Sequence, residues 1–199
     1  MITFAITGGI ATGKSTVTKT FKESYGIPIV DADVIAREIV EVGKPCLTYL
    51  VNAFSDKILN QDGTLNRKYL GNICFNDPVA LNTINRIMGD IIKEESFKQL
   101  QKLHAEGNPL IGYDSALIIE RGFHTLYKPI IVVTCSPETQ ISRLMKRNNL
   151  SYQEAAARIS SQMKLSDKVG FADIVINNDG GLMELHSQIY STIHQLKQL

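Results

Sequence analysis

The sequence predicts an α/β fold: a three-layer, doubly wound domain with a five-stranded parallel sheet, a helical insert and a lid. Three observations predict it. Short apolar runs alternate with stretches of helical spacing, the pattern of successive β-loop-α units. The first run, Ile2 to Thr7, leads directly into Gly8-Gly9-Ile10-Ala11-Thr12-Gly13-Lys14-Ser15-Thr16. That stretch fits the phosphate-binding pattern G-x-x-x-x-G-K-[ST], which needs a strand before it and a helix after it. Finally, 199 residues with 44% hydrophobic content suit one core carrying an inserted subdomain.

Each element follows in order. Ser15 to Glu23 has helix-compatible composition, with Val17 and Phe21 on one face, and Gly26 and Pro28 punctuate it. Ile27 to Val30 reads as the second strand, leaving through Asp31-Ala32-Asp33 into a helical pattern from Val34 to Glu41. Parallel strands all exit at one sheet edge, so this outlet opens beside the phosphate loop if the first two strands are neighbours. Residues 43–107 change character. Ile84, Ile87, Ile91, Met88, Ile92, Phe97, Leu100 and Leu103 recur at helical spacing, and Asn60 to Thr64 forms a loop. This is a helical insert. Pro109 to Tyr113 and Pro129 to Thr134 are apolar runs suited to buried parallel strands, and Ile174 to Ile176 makes a fifth. Leu182, Leu185, Ile189, Ile193 and Leu196 mark a closing amphipathic helix. The expected organisation is a core of 1–42, 108–135 and 169–199, an insert at 43–107 and a lid at 136–168. Periodicity leaves the strand order open.

Composition narrows the partners. With 21 basic and 20 acidic residues the net charge is +1, which gives no general attraction to nucleic acid or an anionic membrane. Cys46, Cys74 and Cys135 lack metal-ligand or C-x-x-C spacing and read as small buried residues in a reducing compartment. No apolar run is long enough to span a bilayer and no secretory leader pattern is present, so a soluble cytoplasmic protein is expected.

The loop supplies the chemistry. Backbone N–H groups from Gly9 through Thr16 and the start of the following helix would cradle the phosphates of ATP. Lys14 would reach the β- and γ-phosphates, and the Ser15 hydroxyl would sit on Mg²⁺. Asp33, at a strand outlet, is the candidate base for an acceptor hydroxyl. The competing reading makes it an N-cap of the next helix or an i,i+4 partner of Arg37. Asp31 would bind Mg²⁺ through water or orient Arg37. Asp114 ends an apolar strand as a Walker-B acid does and would support the metal ion. From Ser136 to Lys168, six cations (Arg143, Lys146, Arg147, Arg158, Lys164, Lys168) stand against Glu138, Glu154 and Asp167, a local excess of +3. Such a run is either a solvated face or a lid whose arginines close on the transferring phosphate. The four histidines have no partners at recognisable spacing.

Beyond the loop, the chain resembles the dephospho-coenzyme A kinases along nearly its whole length. The resemblance rests on Thr7 to Ile10, Gly26 to Asp33, Ile35-Ala36-Arg37, Asp62 to Arg67, Gln140 to Arg147, Arg158 to Gln162, and Ala172 to Asn178. It implies ATP-dependent phosphorylation of the ribose 3′-hydroxyl of dephospho-coenzyme A, the last step of coenzyme A biosynthesis, with ATP and that acceptor as small-molecule partners. The sequence leaves the oligomeric state open, with a monomer favoured. It places the base role on Asp33, makes the insert the acceptor-binding subdomain, and makes Arg143 and Arg147 lid residues with Asn178 beside the adenine. Asp31, Arg37, Asp114 and Glu120 fall on the acceptor side. The family pattern is broken at Asn66, where an acid is usual, at Arg86-Ile87, where His-Pro is usual, and at Ala116 and Ile119, where a proline and an aromatic are usual. These departures keep a nucleoside monophosphate kinase as a rival reading. A nucleotide sensor without turnover is a rival of another class, and Asp33, Asp114 and the lid arginines together speak against it.

Overall fold

A computed structural model describes residues 2–199. Five strands, β1 (Ile2–Gly8), β2 (Ile29–Asp31), β3 (Leu110–Asp114), β4 (Ile130–Thr134) and β5 (Ile174–Asn177), form one sheet in the order β2-β3-β1-β4-β5. β1 runs parallel to β3, with Ile2 opposite Leu110 and Ile6 opposite Asp114, and parallel to β4, with Ala5 opposite Ile130. β4 pairs in parallel with β5. β2 attaches outside β3, where the Gly112 N–H donates to the Pro28 carbonyl at 2.9 Å. Gly112 has no side chain for a packing reason, since a Cβ there would collide with Ile29 and lie 3.2 Å from the Phe4 ring.

The strands are apolar on both faces because both are covered. On one face Phe4, Ile6, Ile131, Val133 and Ile176 pack with Val17 and Phe21 of α1 (Lys14–Tyr25) and with Leu185, Ile189, Ile193 and Leu196 of the last helix, α9 (Leu182–Leu196). Ala5, Ile130 and Val132 alternate to the opposite face and are equally buried. Leu182, the first residue of the α9 stripe in the sequence, is exposed.

Two compact units divide the chain, one of residues 1–30 with 102–199, the other of residues 31–101. The second holds α2 (Ala32–Glu38), α3 (Pro45–Phe54), α4 (Arg67–Asn76) and most of α5 (Pro78–Ala105). It is helical, with a single antiparallel bridge, Leu59 to Leu65, closing the Asn60–Thr64 loop. The break falls at residue 31, not 43, because α2 is tied to the insert: Arg67 Nη2 donates to the Arg37 carbonyl at 3.4 Å. It returns before 107 because His104 at the end of α5 meets Thr3 of β1, Nε2 to Oγ1 3.1 Å. Phe97 is exposed, outside the buried stripe of Ile92, Ser96 and Leu100.

Two local expectations change. α2 begins at Ala32 rather than Val34, because Asp31 caps it. β1 and β2 are not neighbours: β3 lies between them, so the acid that topology sets next to the phosphate loop is Asp114 at the end of β3.

Candidate active site

The phosphate loop is built from close approaches. A Cβ on Gly8 would stand 2.7 Å from the Val133 carbonyl oxygen and 2.8 Å from Thr12 Oγ1, so only glycine lets β1 turn there. Thr12 Oγ1 donates to the Gly9 carbonyl at 2.9 Å and closes the turn. Gly13 has a left-handed φ of 93° and starts α1, whose first residues are Lys14, Ser15 and Thr16. No side chain caps that helix and no acid occupies its first turn, which leaves its positive end available to an anion.

Lys14 pairs with Asp114, which is buried at the end of β3. The pair sits where the crossovers of a doubly wound sheet part in opposite directions, β1 towards β2 and β3 towards β4, the usual place for a ligand crevice. Behind it lies a cation that the sequence counted among the lid charges. Lys168, in α8 (Leu165–Val169), is fully buried. Its Nζ donates to the Ala116 carbonyl at 2.7 Å and the Gly8 carbonyl at 3.4 Å, and pairs with Glu120 Oε1 at 2.8 Å. Its three protons therefore have three acceptors. Glu120, expected on the acceptor side, is thus engaged by Lys168. Thr7 Oγ1 donates to the same Ala116 carbonyl at 3.3 Å.

The expected lid forms α6 (Pro137–Asn148), α7 (Tyr152–Ser160) and α8. Arg143 on α6 lies at the loop, its Nη1 4.0 Å from where a Cβ on Gly13 would be, buried and without a hydrogen-bond partner. Arg147, one turn on, is exposed and donates from Nε to Asn148 at 2.9 Å. Asn178 is buried, and its Nδ2 donates to the Thr12 carbonyl at 2.8 Å, so its amide braces the loop itself. Next to it, Asp179 accepts from the N–H and Oγ of Ser136, at 2.8 and 2.9 Å, where α6 begins. The Ser136 N–H above all, with the Thr139 and Ser136 hydroxyls and Arg143 adding to it, holds that carboxyl below the usual aspartate range. Burial pushes the Cys135 thiol up, against the opposing pull of Arg143, as suits a small buried residue. A cavity of about 730 Å³ lies among α6, α7, α8 and Gly9, lined by Cys135, Gln140, Ile141, Ile159, Gln162 and Leu165.

Asp31, Asp33 and Arg37 belong to the other unit. Asp31 Oδ1 accepts from the N–H groups of Asp33 and Val34, at 2.9 and 3.0 Å, and is the N-cap of α2. Asp33 is therefore not the cap, and no ion pair joins it to Arg37 among the described residues. Its carboxylate is exposed and carries no hydrogen bond or ion pair among the described residues. The atypical positions have local explanations. Asn66 caps α4 by accepting from the Tyr69 N–H at 2.9 Å, Ile119 is buried, and Ala116 serves through its carbonyl; nothing in the structure explains Arg86, which is exposed.

Sequence reasoning missed three side chains: Lys168 and the glutamines Gln140 and Gln162, both of which bond to Ile10. The glutamines bond to main-chain atoms, and Lys168 to two carbonyls and Glu120, all far away in sequence, so no spacing reveals them. The only signal was that both glutamines fall inside the segments carrying the family resemblance.

The dephospho-CoA kinase family matches residues 2–184. A dephospho-CoA kinase of Bacillus cereus is 42% identical over 192 residues, 96% of each chain. A Thermus thermophilus crystal structure superposes with a TM-score of 0.85 at 28% identity, covering 98% of this chain and 97% of that one. A dephospho-CoA kinase from Campylobacter jejuni does so with a TM-score of 0.72 at 29% identity and the same coverage. The chain belongs to the dephospho-CoA kinase family.

Proposed function

We propose that the chain transfers the γ-phosphoryl group of ATP to the ribose 3′-hydroxyl of dephospho-coenzyme A, giving ADP and coenzyme A. The observation that carries this reading is the uncapped phosphate loop with its Lys14–Asp114 pair at the sheet's switch point, in a chain of this family. ATP exchanges its phosphate oxygens for Asp114 as the partner of Lys14. Loop N–H groups such as those of Gly13, Lys14 and Ser15 hold the phosphates in line for transfer, and positioning of this kind is most of what phosphoryl transfer requires. Arg143 supplies charge from α6; its unpartnered Nη1 beside Gly13 supports that role over the outward-facing Arg147. Asp33 accepts the proton of the acceptor hydroxyl, and its uncommitted carboxylate suits a base better than a structural group. Asp31 keeps α2 capped so that Asp33 and Arg37 hold their places on it.

Mg²⁺ fits the donor set. The exposed Ser15 hydroxyl and the Asp114 carboxylate are hard oxygen ligands, few in number, as suits an ion that keeps several waters and phosphate oxygens. When bound, it neutralises charge on the β- and γ-phosphates.

The test is ADP release with dephospho-coenzyme A, with nucleoside monophosphates, or with no acceptor. Turnover should depend on dephospho-coenzyme A. Turnover only with a monophosphate would overturn the reading, and nucleotide binding without acceptor-dependent turnover would make the chain a sensor.

A further inference from the structure

Both backbone polar groups of Ile10 are held by side chains from the 136–168 segment. Gln162 Oε1 accepts from the Ile10 N–H at 2.9 Å, and Gln140 Nε2 donates to the Ile10 carbonyl at 2.7 Å. An N–H only donates and a carbonyl only accepts, so these partners fix the orientation of both amides. Gln140 is buried, and the missing side chain of Gly9 makes its room: a Cβ there would stand 2.7 Å from Gln140 Nε2.

The next residue explains what the grip is for. Ala11 has a φ of 61°, a left-handed conformation that a non-glycine residue keeps only where its surroundings impose it. Gln140 holds the 10–11 peptide through the Ile10 carbonyl, and the Thr12 N–H, donating to the Gly9 carbonyl at 3.3 Å, holds the 11–12 peptide, so Ala11 is fixed from both sides, while Gln162 fixes the peptide before Ile10. We propose that Gln140 and Gln162 are positioning residues: a two-glutamine clamp that holds Ile10-Ala11 in the phosphate-receiving shape and through which α6 and the turn after α7 set nucleotide affinity. The turnover consequence rests on the kinase reading above; the binding consequence does not.

Conservative exchanges separate this role from packing. In Gln162→Glu an acceptor still faces the Ile10 N–H. In Gln140→Glu a carboxylate faces the Ile10 carbonyl, and the donor is lost. Each change brings the same negative charge towards the phosphates, so the ratio of the two affinities isolates the donor. ADP binding, measured by calorimetry on the full chain at about pH 8, where a glutamate is ionised, should be roughly tenfold weaker in Gln140→Glu than in Gln162→Glu, the scale of one unsatisfied buried carbonyl. Expressed relative to wild type, the Gln140→Glu defect should shrink as pH falls to about 5 and the introduced carboxyl regains a proton to donate. Gln140→Leu should show the defect without the recovery, and it replaces Gln140→Glu if that variant does not fold. Equal affinities of the position-140 and position-162 variants, or a Gln140→Leu protein binding ADP like wild type, would overturn the clamp. A wild-type chain that binds ADP but never turns over dephospho-coenzyme A would overturn the kinase reading and leave this test intact.

Discussion

Asp31 and Asp33 are separated by one residue and have opposite availability. Asp31 has an oxygen committed to two backbone N–H groups, whereas Asp33 has none of its acceptor capacity in use among the described residues. A base needs that freedom, because a carboxylate already saturated with donors has little pull on a further proton. Asp33→Asn should therefore lower kcat by roughly a hundredfold or more, the usual loss on removing a general base, while the ATP dissociation constant stays near wild type. A variant with near-normal kcat would rule the base role out. Lys168 makes the contrasting case, a cation with every donor satisfied inside the protein. Lys168→Met should destabilise the fold by about 2 kcal/mol in urea unfolding, because it removes a donor from the Gly8 and Ala116 carbonyls and leaves Glu120 without its cation. Adding Glu120→Leu should recover part of the loss, since the uncompensated carboxylate goes too. A loss below about 1 kcal/mol would place the pair among weak surface contacts.

At the scale of elements, the joint between β5 and α6 shows how a strand outlet is fastened. Asp179 follows β5 and accepts from the N–H and Oγ of Ser136, the N-cap residue of α6, so it fastens the cap that in turn holds the helix. Its carboxyl is held below the ordinary aspartate value in the folded chain, so its contribution to stability is complete above the unfolded value and is lost as pH falls through the folded one. Below about pH 4 the wild type should thus lose stability that an Asp179→Asn chain never had. Denaturation curves of the two should converge towards acid, and parallel curves would show that Asp179 does not titrate with folding. Elements of this size were largely legible in the sequence. The phosphate loop, the apolar strand runs and the helical insert all carry local patterns of composition and spacing; the structure has the strands and the loop within a few residues, while the helical unit starts twelve residues before the expected insert. What escaped is the fastening between elements. Gln140, Gln162 and Lys168 act on main-chain atoms 130 to 160 residues away, and only the fold brings them there. Lys168 even misled, because a lysine in a basic run reads as solvated until the packing around it is known.

Across the whole molecule, strand order explains why the loop and Asp114 meet although a hundred residues separate Lys14 from that acid. The chain leaves β1 for β2 on one side and returns through β3 before reaching β4 on the other, which sets the ends of β1 and β3 side by side. All of the nucleotide contacts proposed above fall in the unit of residues 1–30 with 102–199, while Asp33 and the helical insert fall in residues 31–101. ATP and the acceptor should therefore stabilise different parts of the chain. Nucleotide at a hundred times its dissociation constant adds about 2.7 kcal/mol to the state that binds it. With roughly 2–4 °C per kcal/mol for chains of this size, that is a rise in melting temperature of about 5–10 °C. Hydrogen exchange should locate it: ATP should protect amides of the loop, α1 and β3, and dephospho-coenzyme A alone should protect amides of the 31–101 unit. In Lys14→Ala the nucleotide shift should largely vanish while the acceptor pattern persists, because Lys14 serves the phosphates and otherwise pairs with Asp114 inside the same unit. Loss of both patterns in that variant would mean that acceptor binding depends on an occupied loop, and protection by dephospho-coenzyme A confined to the loop unit would remove the insert from acceptor recognition.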